Sequence, residues 1–307
     1  MKNLVFGAFA FIEDNATSVN ITHKSNIVNT YLKCAFVSLK SAKDYNKNDT
    51  VALITNQKLP PFYEKLYKDN NIEIIIFPFD EFYFEKKYKW NLAFYKLCAL
   101  KKVYELNYDN YCMIDLDTYT QSSYSDIWEE SRNKILLLDI NHSLTNNDNK
   151  EFIAELNNFG VENQYLTNYG GEFIATNKEN LKKVIDSNDK IYAKMKEMNF
   201  ETKFGDEFIT RITAYNLGTL IKNAGAYIYR FWTGTFYLVS TCYKYNPVCI
   251  LHCPVEKEKG FIKVYNKLAN GKKIKKNKVY SLLHLNRPSI KIRIKGIIKK
   301  VLGREQL

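Results

Sequence analysis

The sequence predicts an α/β domain built on a parallel sheet, and two observations carry this prediction. Short apolar runs alternate with segments of helical periodicity through the first half of the chain. Strands and helices in this order pair into a parallel sheet that helices cover on both faces. The 307 residues, 46% of them hydrophobic, can also bury a large core, either as one large domain or as two small ones.

The first half contains four predicted strands and three predicted helices. The strands are apolar runs at 4–12, 51–54, 72–77 and 111–114, the third ended by Pro78. Helical spacing of apolar residues predicts helices at 26–41 and 90–106. A third helix opens at Pro60-Pro61 and runs to about residue 67, because proline suits a first helical turn.

The second half has a more mixed pattern. It predicts strands at 134–138, 173–176, 227–231 and 248–251, and helices near 179–188 and 206–215. The segment 141–150 is polar and rich in turn-forming residues. Composition turns basic after Asn270, so we predict one domain over residues 1–270 and a tail over 271–307.

The basic charge belongs to the tail. Residues 272–307 contain 12 Lys or Arg and a single acid, whereas the rest of the chain has a net charge of only +1. The folded body is therefore not expected to bind nucleic acid. As a helix, 289–302 would set one apolar face among lysines, which is typical of an interfacial helix on anionic lipid. A solvated tail and a nucleic-acid contact are the alternatives.

Cysteine usage and the N-terminus indicate the compartment. Six cysteines are scattered, several inside apolar runs, and Cys249 and Cys253 have no second pair at zinc-site spacing. We therefore expect a reducing compartment and no structural zinc. The apolar N-terminus fits a first buried strand better than a signal peptide, and no segment has the roughly 18 apolar residues of a membrane span. These features predict a cytoplasmic protein.

Two acids end the fourth predicted strand. Asp115 and Asp117 follow the run 111–114, and the carboxyl ends of strands in α/β sheets are where ligands bind. Two neighbouring carboxylates are costly without a positive partner, and a divalent cation is the usual one. Acids that cap a surface helix are one alternative. A phosphatase of the haloacid-dehalogenase type fits less well, because Tyr119 stands where that motif has Thr or Val and three strands come first.

The acids resemble the Asp-x-Asp motif of metal-dependent GT-A glycosyltransferases. The closest likeness is to glycosyltransferase family 8, the glycogenin and lipopolysaccharide galactosyltransferase group, over about residues 1–265. The resemblance implies a GT-A, Rossmann-like domain with a mixed, mostly parallel sheet. It also implies that Asp115, Asp117 and His252 hold Mn²⁺ (or Mg²⁺), which bridges the diphosphate of a UDP-sugar donor. Pro254 departs from the family pattern, which usually has Gly at that position.

Further site residues follow from the resemblance. Carboxylates with predicted catalytic roles toward the sugar or the acceptor are Glu172, Asp206 and Glu207. Residues predicted to bind the donor are Asp14, Asn15, Lys96, Asp115, Leu116, Asp117, Gly170, Gly171, Lys257 and Lys259. Four of the site residues have simpler interpretations as well. Lys96 could extend to the surface, Glu172 could face solvent, Asp206 could complement a helix dipole, and His252 could be a buried histidine hydrogen-bonded in the core. The paired glycines would let the backbone approach a ligand closely.

Together these features predict a metal-dependent glycosyltransferase. It would transfer a hexose from a UDP-sugar to a glycan or glycolipid acceptor with retention, peripheral to the cytoplasmic face of a membrane. An inverting GT-A transferase of another family is the first alternative. The second is a basic-tailed nucleic-acid-binding protein with a non-catalytic α/β body.

Overall fold

The computed structural model describes residues 1–12, 21, 27–85, 87–140, 147–161, 167–233 and 248–285, and positions 294, 297, 298 and 301. Ten strands lie in these ranges: β1 (Asn3–Phe9), β2 (Thr50–Thr55), β3 (Glu73–Ile76), β4 (Asn110–Ile114), β5 (Thr118–Thr120), β6 (Ile135–Asp139), β7 (Tyr169–Asn177), β8 (Ile221–Asn223), β9 (Ile228–Arg230) and β10 (Ile250–His252). The α-helices there are α1 (Ile27–Tyr45), α2 (Pro61–Asp69), α3 (Tyr95–Tyr104), α4 (Ser125–Ser131), α5 (Asn147–Asn158), α6 (Lys178–Glu197), α7 (Asp206–Leu217), α8 (Gly260–Leu268) and α9 (Lys276–Leu282).

A seven-stranded sheet in the order β3-β2-β1-β4-β7-β6-β8 forms the centre of the domain. Its pairs are parallel except for those of β7, which runs antiparallel to both β4 and β6. The predicted α/β class and the mixed, mostly parallel sheet are therefore confirmed. The strand order reverses direction at β1, which lies between β2 and β4, and ligands bind outside such a switch point in open α/β sheets.

Two apolar cores lie on the two faces of this sheet. Alternate strand residues point to opposite faces, so Val5 and Cys112 pack in the core that contains α1, α4 and α8. Leu4, Phe6 and Met113 pack in the other core, together with α3, α6 and α7. Because the central strands are buried on both sides, they read as continuous apolar runs in the sequence.

A second sheet of three short strands, β5-β10-β9, positions the late part of the chain beside the acids. β10 pairs antiparallel with β5, which sets His252 opposite Thr118. It also pairs in parallel with β9, which sets His252 beside Arg230. The predicted strand at 248–251 is thus displaced by one to two residues, and His252 ends the strand rather than following it.

Several predicted bounds differ from the structure. The first strand ends at Phe9 rather than at residue 12, and α6 continues to Glu197 rather than ending near 188. The helix α5 begins inside the segment predicted to be turn-rich. α3 is shorter than predicted, because residues 91–94 form a 3₁₀ turn before it. The short elements α4, β5 and β8 were not predicted, since three to seven residues show too little periodicity.

The packed core extends beyond residue 270. Val279 on α9, and Leu283 and Leu285 after it, are fully buried in the core that contains α1. The predicted start of the tail therefore precedes the end of the packed chain. Among the described residues, no helix is both long enough and apolar enough to span a membrane.

Candidate active site

Asp115 and Asp117 lie in the tight turn between β4 and β5. The amide of Asp115 donates to the carbonyl of Glu172 at 2.8 Å, which ties the turn to β7. The Asp115 carbonyl accepts hydrogen bonds from Ser38 Oγ at 3.2 Å and Thr118 Oγ1 at 2.7 Å. The backbone that carries the acids is thus fixed from three sides.

His252 meets both acids at the end of β10. Its Nε2 lies 3.1 Å from Asp117 Oδ1 and 3.8 Å from Asp115 Oδ2. One ligand atom from each of the three residues lies within 4.8 Å of the other two. Two carboxylates and one imidazole form a donor set that suits Mn²⁺. The residues present therefore fit the metal that the sequence implied.

In each of the three candidate ligands, the side-chain polar atom that does not face the other ligands lies near a charged side chain outside the ligand set. Metal ligands are commonly oriented in this way by outer partners. The pairs are Asp115 Oδ1 with Lys96 Nζ at 2.7 Å, Asp117 Oδ2 with Lys257 Nζ, and His252 Nδ1 with Glu172 Oε1 at 3.5 Å.

Charge pairing sets the protonation of the buried ligands. Burial lowers the pKa of His252, but the charge and hydrogen bond of Asp117, with Glu172, raise it to about 9. Burial raises the pKa of the Asp117 carboxyl, but Lys257 and His252 outweigh burial and hold it well below its usual range. Without a metal at neutral pH, a positive imidazolium therefore sits against the acids.

Lys96 faces the acids rather than the surface. Besides Asp115, its ammonium donates to the Gly171 carbonyl at 3.2 Å and lies 3.6 Å from Asp206 Oδ2. Burial lowers the pKa of Lys96, but Asp115 and Asp206 raise it above its usual value. Burial raises the pKa of Asp206 to about 6, since Lys96 offsets only part of the desolvation.

Glu172 belongs to a buried network and not to the cleft. Its side chain is 0% exposed and is not among the described residues that line the cleft, so its catalytic role stays a prediction. Arg230 Nε donates to Glu172 Oε1 at 2.7 Å, and Arg230 Nη2 lies 3.3 Å from Glu207 Oε1. Arg211 holds the other oxygen of Glu207 at 2.9 Å. Neither arginine was predicted as a site residue. Arg230 could have been found from the sequence, because it is a cation near the end of the strand predicted at 227–231.

The paired glycines leave room for two of the protein's own carboxylates. A Cβ on Gly170 would lie 1.7 Å from Glu172 Oε2, and a Cβ on Gly171 would lie 2.3 Å from Asp206 Oδ2. Both glycines lie within β7, where their small size lets the acidic side chains pack against the strand. The close approach of a ligand to this backbone stays a prediction, and the protein's own acids lie against both glycines.

An open cleft of about 1210 Å³, which includes space open to solvent, leads to the three ligands. Its walls contain the predicted residues Lys96, Leu116, Asp206, Glu207 and Lys257. Aromatic side chains also line it, and these are Phe9, Tyr31, Trp90, Phe204 and Trp232. Lys259 is exposed and is not among the described residues that line the cleft. Asp14 and Asn15 lie outside the described residues.

Buried polar atoms without partners concentrate at this site. Within the described part of the chain, four buried side-chain atoms have no hydrogen-bond partner. Three of them are Asp206 Oδ2, Glu172 Oε2 and His252 Nδ1. Buried polar atoms are normally satisfied, and of these three Asp206 Oδ2 and His252 Nδ1 belong to residues that line the cleft.

Comparison with known proteins supports the fold. No protein-family model matches the sequence, and no curated protein matches it. A crystal structure of the galactosyltransferase LgtC in complex with donor and acceptor sugar analogues is similar, with a TM-score of 0.56 and 12% identity over 91% of this chain and 99% of that one. The chain has the GT-A fold. The structure of an active-site mutant of LgtC gives a TM-score of 0.55 at 11% identity, over 92% and 99% of the two chains. Mouse xyloside xylosyltransferase 1 has a TM-score of 0.49 at 12% identity, over 82% and 97%.

Proposed function

We propose that the protein is a metal-dependent glycosyltransferase that transfers a hexose from a UDP-sugar to a glycan or glycolipid acceptor. The observation that carries the proposal is the convergence of Asp115, Asp117 and His252 in the lining of a large cleft. This cleft opens beside the turn that follows β4, next to the switch point of a GT-A fold, and LgtC has been solved with sugar analogues. The three side chains would hold Mn²⁺ or Mg²⁺.

The charges around the ligands suit the departure of a diphosphate. A bound divalent cation supplies positive charge that stabilises the leaving group. Lys257 adds a second positive charge at the cleft wall, where its ammonium is held beside Asp117. Preorganised charges of this kind lower the barrier because they need no rearrangement during the reaction.

The cleft walls divide the remaining tasks. Asp206 and Glu207, at the start of α7, offer carboxylates to the hydroxyl groups of a donor sugar. Trp90, Trp232 and Phe204 offer broad apolar faces, as sites for organic ligands commonly do. Since Glu172 is closed off, Asp206 and Glu207 are the remaining predicted carboxylates that border the cleft. Retention of the anomeric configuration is proposed from the family resemblance.

The basic tail is proposed to dock on the cytoplasmic face of an anionic membrane, near a glycolipid acceptor. The described tail positions Ile294, Ile297, Ile298 and Val301 are helical and 51–80% exposed. Their spacing sets them on one helix face, and the tail sequence around them is strongly basic. Liposomes containing phosphatidylserine should retain the full chain more strongly than a chain that ends at Leu285. Equal retention of the two would overturn the membrane proposal.

Metal-dependent binding of UDP tests the transferase proposal directly. UDP should raise the unfolding midpoint of the wild-type protein in the presence of Mn²⁺ and much less in its absence. Asp115→Asn and Asp117→Asn should lose this Mn²⁺-dependent increase. Asp69→Asn, which removes an exposed acid paired with Lys65, is the matched control and should behave as wild type. An absence of any metal-dependent shift in the wild-type protein would refute the proposal.

Hydrolysis and product analysis then define the reaction. UDP-glucose, UDP-galactose and their N-acetyl forms are the donors to screen, by release of UDP with Mn²⁺. The anomeric configuration of the transferred sugar, read by proton NMR, separates the retaining reaction from the inverting alternative.

A further inference from the structure

We propose that Glu172 and Arg230 are positioning residues that fix the imidazole of His252 for metal binding. Glu172 would accept a hydrogen bond from Nδ1–H, which leaves the Nε2 lone pair directed toward Asp115 and Asp117. Arg230 would hold Glu172 in place from behind. The inference deepens the proposed function and rests on it, because it concerns the same metal site.

The two ring nitrogens of His252 have distinct surroundings. Nε2 faces Asp117 Oδ1 at 3.1 Å, whereas Nδ1 faces Glu172 Oε1 at 3.5 Å. Nδ1 has no hydrogen-bond partner among the described residues. A neutral imidazole donates from one nitrogen and coordinates through the other.

Burial makes this role specific to a carboxylate. The Glu172 side chain is 0% exposed, and an unpaired buried charge is costly. Arg230 supplies the compensating charge through Nε at 2.7 Å, while its Nη2 lies 3.3 Å from Glu207 at the cleft. Arg230 lines the cleft but Glu172 does not, so Glu172 acts on the metal ligands through its contact with His252.

Backbone pairing between strands fixes the positions of Glu172, Arg230 and His252. The register of β9 and β10 places Arg230 beside His252. The amide of Asp115 is bonded to the carbonyl of Glu172, which fixes the glutamate relative to the acids. Gly170 leaves the space that the Glu172 carboxylate occupies. Sequence positions far apart are thus combined into one rigid support.

The affinity for Mn²⁺ without nucleotide tests the inference. Isothermal titration should show that Glu172→Ala binds Mn²⁺ about 10–100-fold more weakly than wild type, as is typical for loss of an outer partner of a metal ligand. Glu172→Gln keeps an acceptor for Nδ1–H but loses the charge, so it should fall between the two. The Gln variant also provides the test if Glu172→Ala fails to fold, and circular dichroism reports folding for each variant.

A matched control is a second buried glutamate that contacts a histidine in the described part of the chain. Glu256 is 5% exposed, and its Oε2 lies 2.7 Å from His284 Nδ1. Glu256→Gln should change Mn²⁺ affinity by less than about threefold, because its pair is not the one that faces the metal ligands.

The exchange of the Nδ1 proton gives a readout that a merely structural role would not change. With diamagnetic Mg²⁺ bound, NMR should show a slowly exchanging Nδ1–H of His252 in the wild-type protein, assigned by loss of the signal in His252→Gln. Glu172→Ala should make this proton exchange rapidly with water, whereas Glu172→Gln, which keeps an acceptor, should retain part of the protection. Wild-type Mn²⁺ affinity and an equally slow exchange in folded Glu172→Ala would overturn the inference while the proposed function stands. Failure of the wild-type protein itself to bind Mn²⁺ would overturn both.

Discussion

The substitution Gly170→Ala tests how closely the acidic network is packed against β7. Gly170 has no positive φ, so alanine fits the strand backbone and would otherwise stabilise the protein by about 0.5–1 kcal/mol. The added Cβ would, however, lie 1.7 Å from Glu172 Oε2, 2.7 Å from Glu172 Cδ and 2.9 Å from Arg230 Nη2. The carboxylate must therefore leave its position.

The expected loss of stability follows from the buried ion pair that the displaced Glu172 carboxylate would break. Glu172 is inaccessible to water, and its displacement separates it from Arg230 and His252. Breaking a buried ion pair costs about 3–5 kcal/mol. After the favourable backbone effect, the free energy of unfolding should fall by about 2–4 kcal/mol.

Urea unfolding of four chains measures this as a double-mutant cycle. In a Glu172→Ala background the clashing carboxylate is absent, so Gly170→Ala should change the free energy of unfolding by less than about 1 kcal/mol. Gly171→Ala is the matched comparison: its clash is with Asp206 Oδ2 at 2.3 Å. Its cost should be relieved by Asp206→Ala and not by Glu172→Ala. An equal cost of Gly170→Ala in both Glu172 backgrounds would refute the reasoning.

Three further predictions concern the charges of the cleft. Burial raises the pKa of Asp206 from its usual value to about 6, so its bound proton stabilises the folded state at low pH and this stability is lost as pH rises from about 4 to about 6. Asp206→Asn should therefore be more stable than wild type by about 3 kcal/mol at pH 8 and equal at pH 4, as measured by urea unfolding; parity at pH 8 would contradict this. Lys96→Met removes the cation nearest to Asp115 and Asp206 and should lower the free energy of unfolding without metal by about 1–3 kcal/mol. Mn²⁺ should then raise its unfolding midpoint more than that of wild type, and an equal increase would count against this pairing. Lys257→Met should weaken UDP binding in Mn²⁺ at least about tenfold in calorimetry, a loss of about 1.4 kcal/mol or more from one charged hydrogen bond; an unchanged affinity would remove Lys257 from the donor site.

The parts of the site that the sequence predicts are those set by local pattern. Asp115 and Asp117 follow a continuous apolar run, and a buried strand in a parallel sheet produces such a run wherever it occurs. His252 could be found because it ends another apolar run and lies before a segment with lysines and a glycine. In these places, residue type and position along one strand already determine where the side chain lies.

The parts of the site that the sequence does not predict depend on pairing between strands that are distant in the sequence. Glu172 reads as a solvent-facing or substrate-facing acid until β7 is known to lie antiparallel beside β4. Arg230 acquires its role only through the parallel pairing of β9 with β10. Gly170 is needed because the side chain of Glu172, two residues later, packs against it. No periodicity along the chain encodes any of these relations.

The ion pairs around the candidate metal ligands have a nearly balanced charge. Among the described residues, the connected ion pairs contain five carboxylates and four lysine or arginine side chains: Asp115, Asp117, Glu172, Asp206 and Glu207 with Lys96, Arg211, Arg230 and Lys257. The imidazolium of His252, whose pKa is about 9, brings the cluster to neutrality near pH 7. A divalent cation in place of that proton would leave one net positive charge. Since charges in a cleft of low dielectric act strongly, a divalent cation at these ligands would increase the attraction for the anionic diphosphate of the proposed donor.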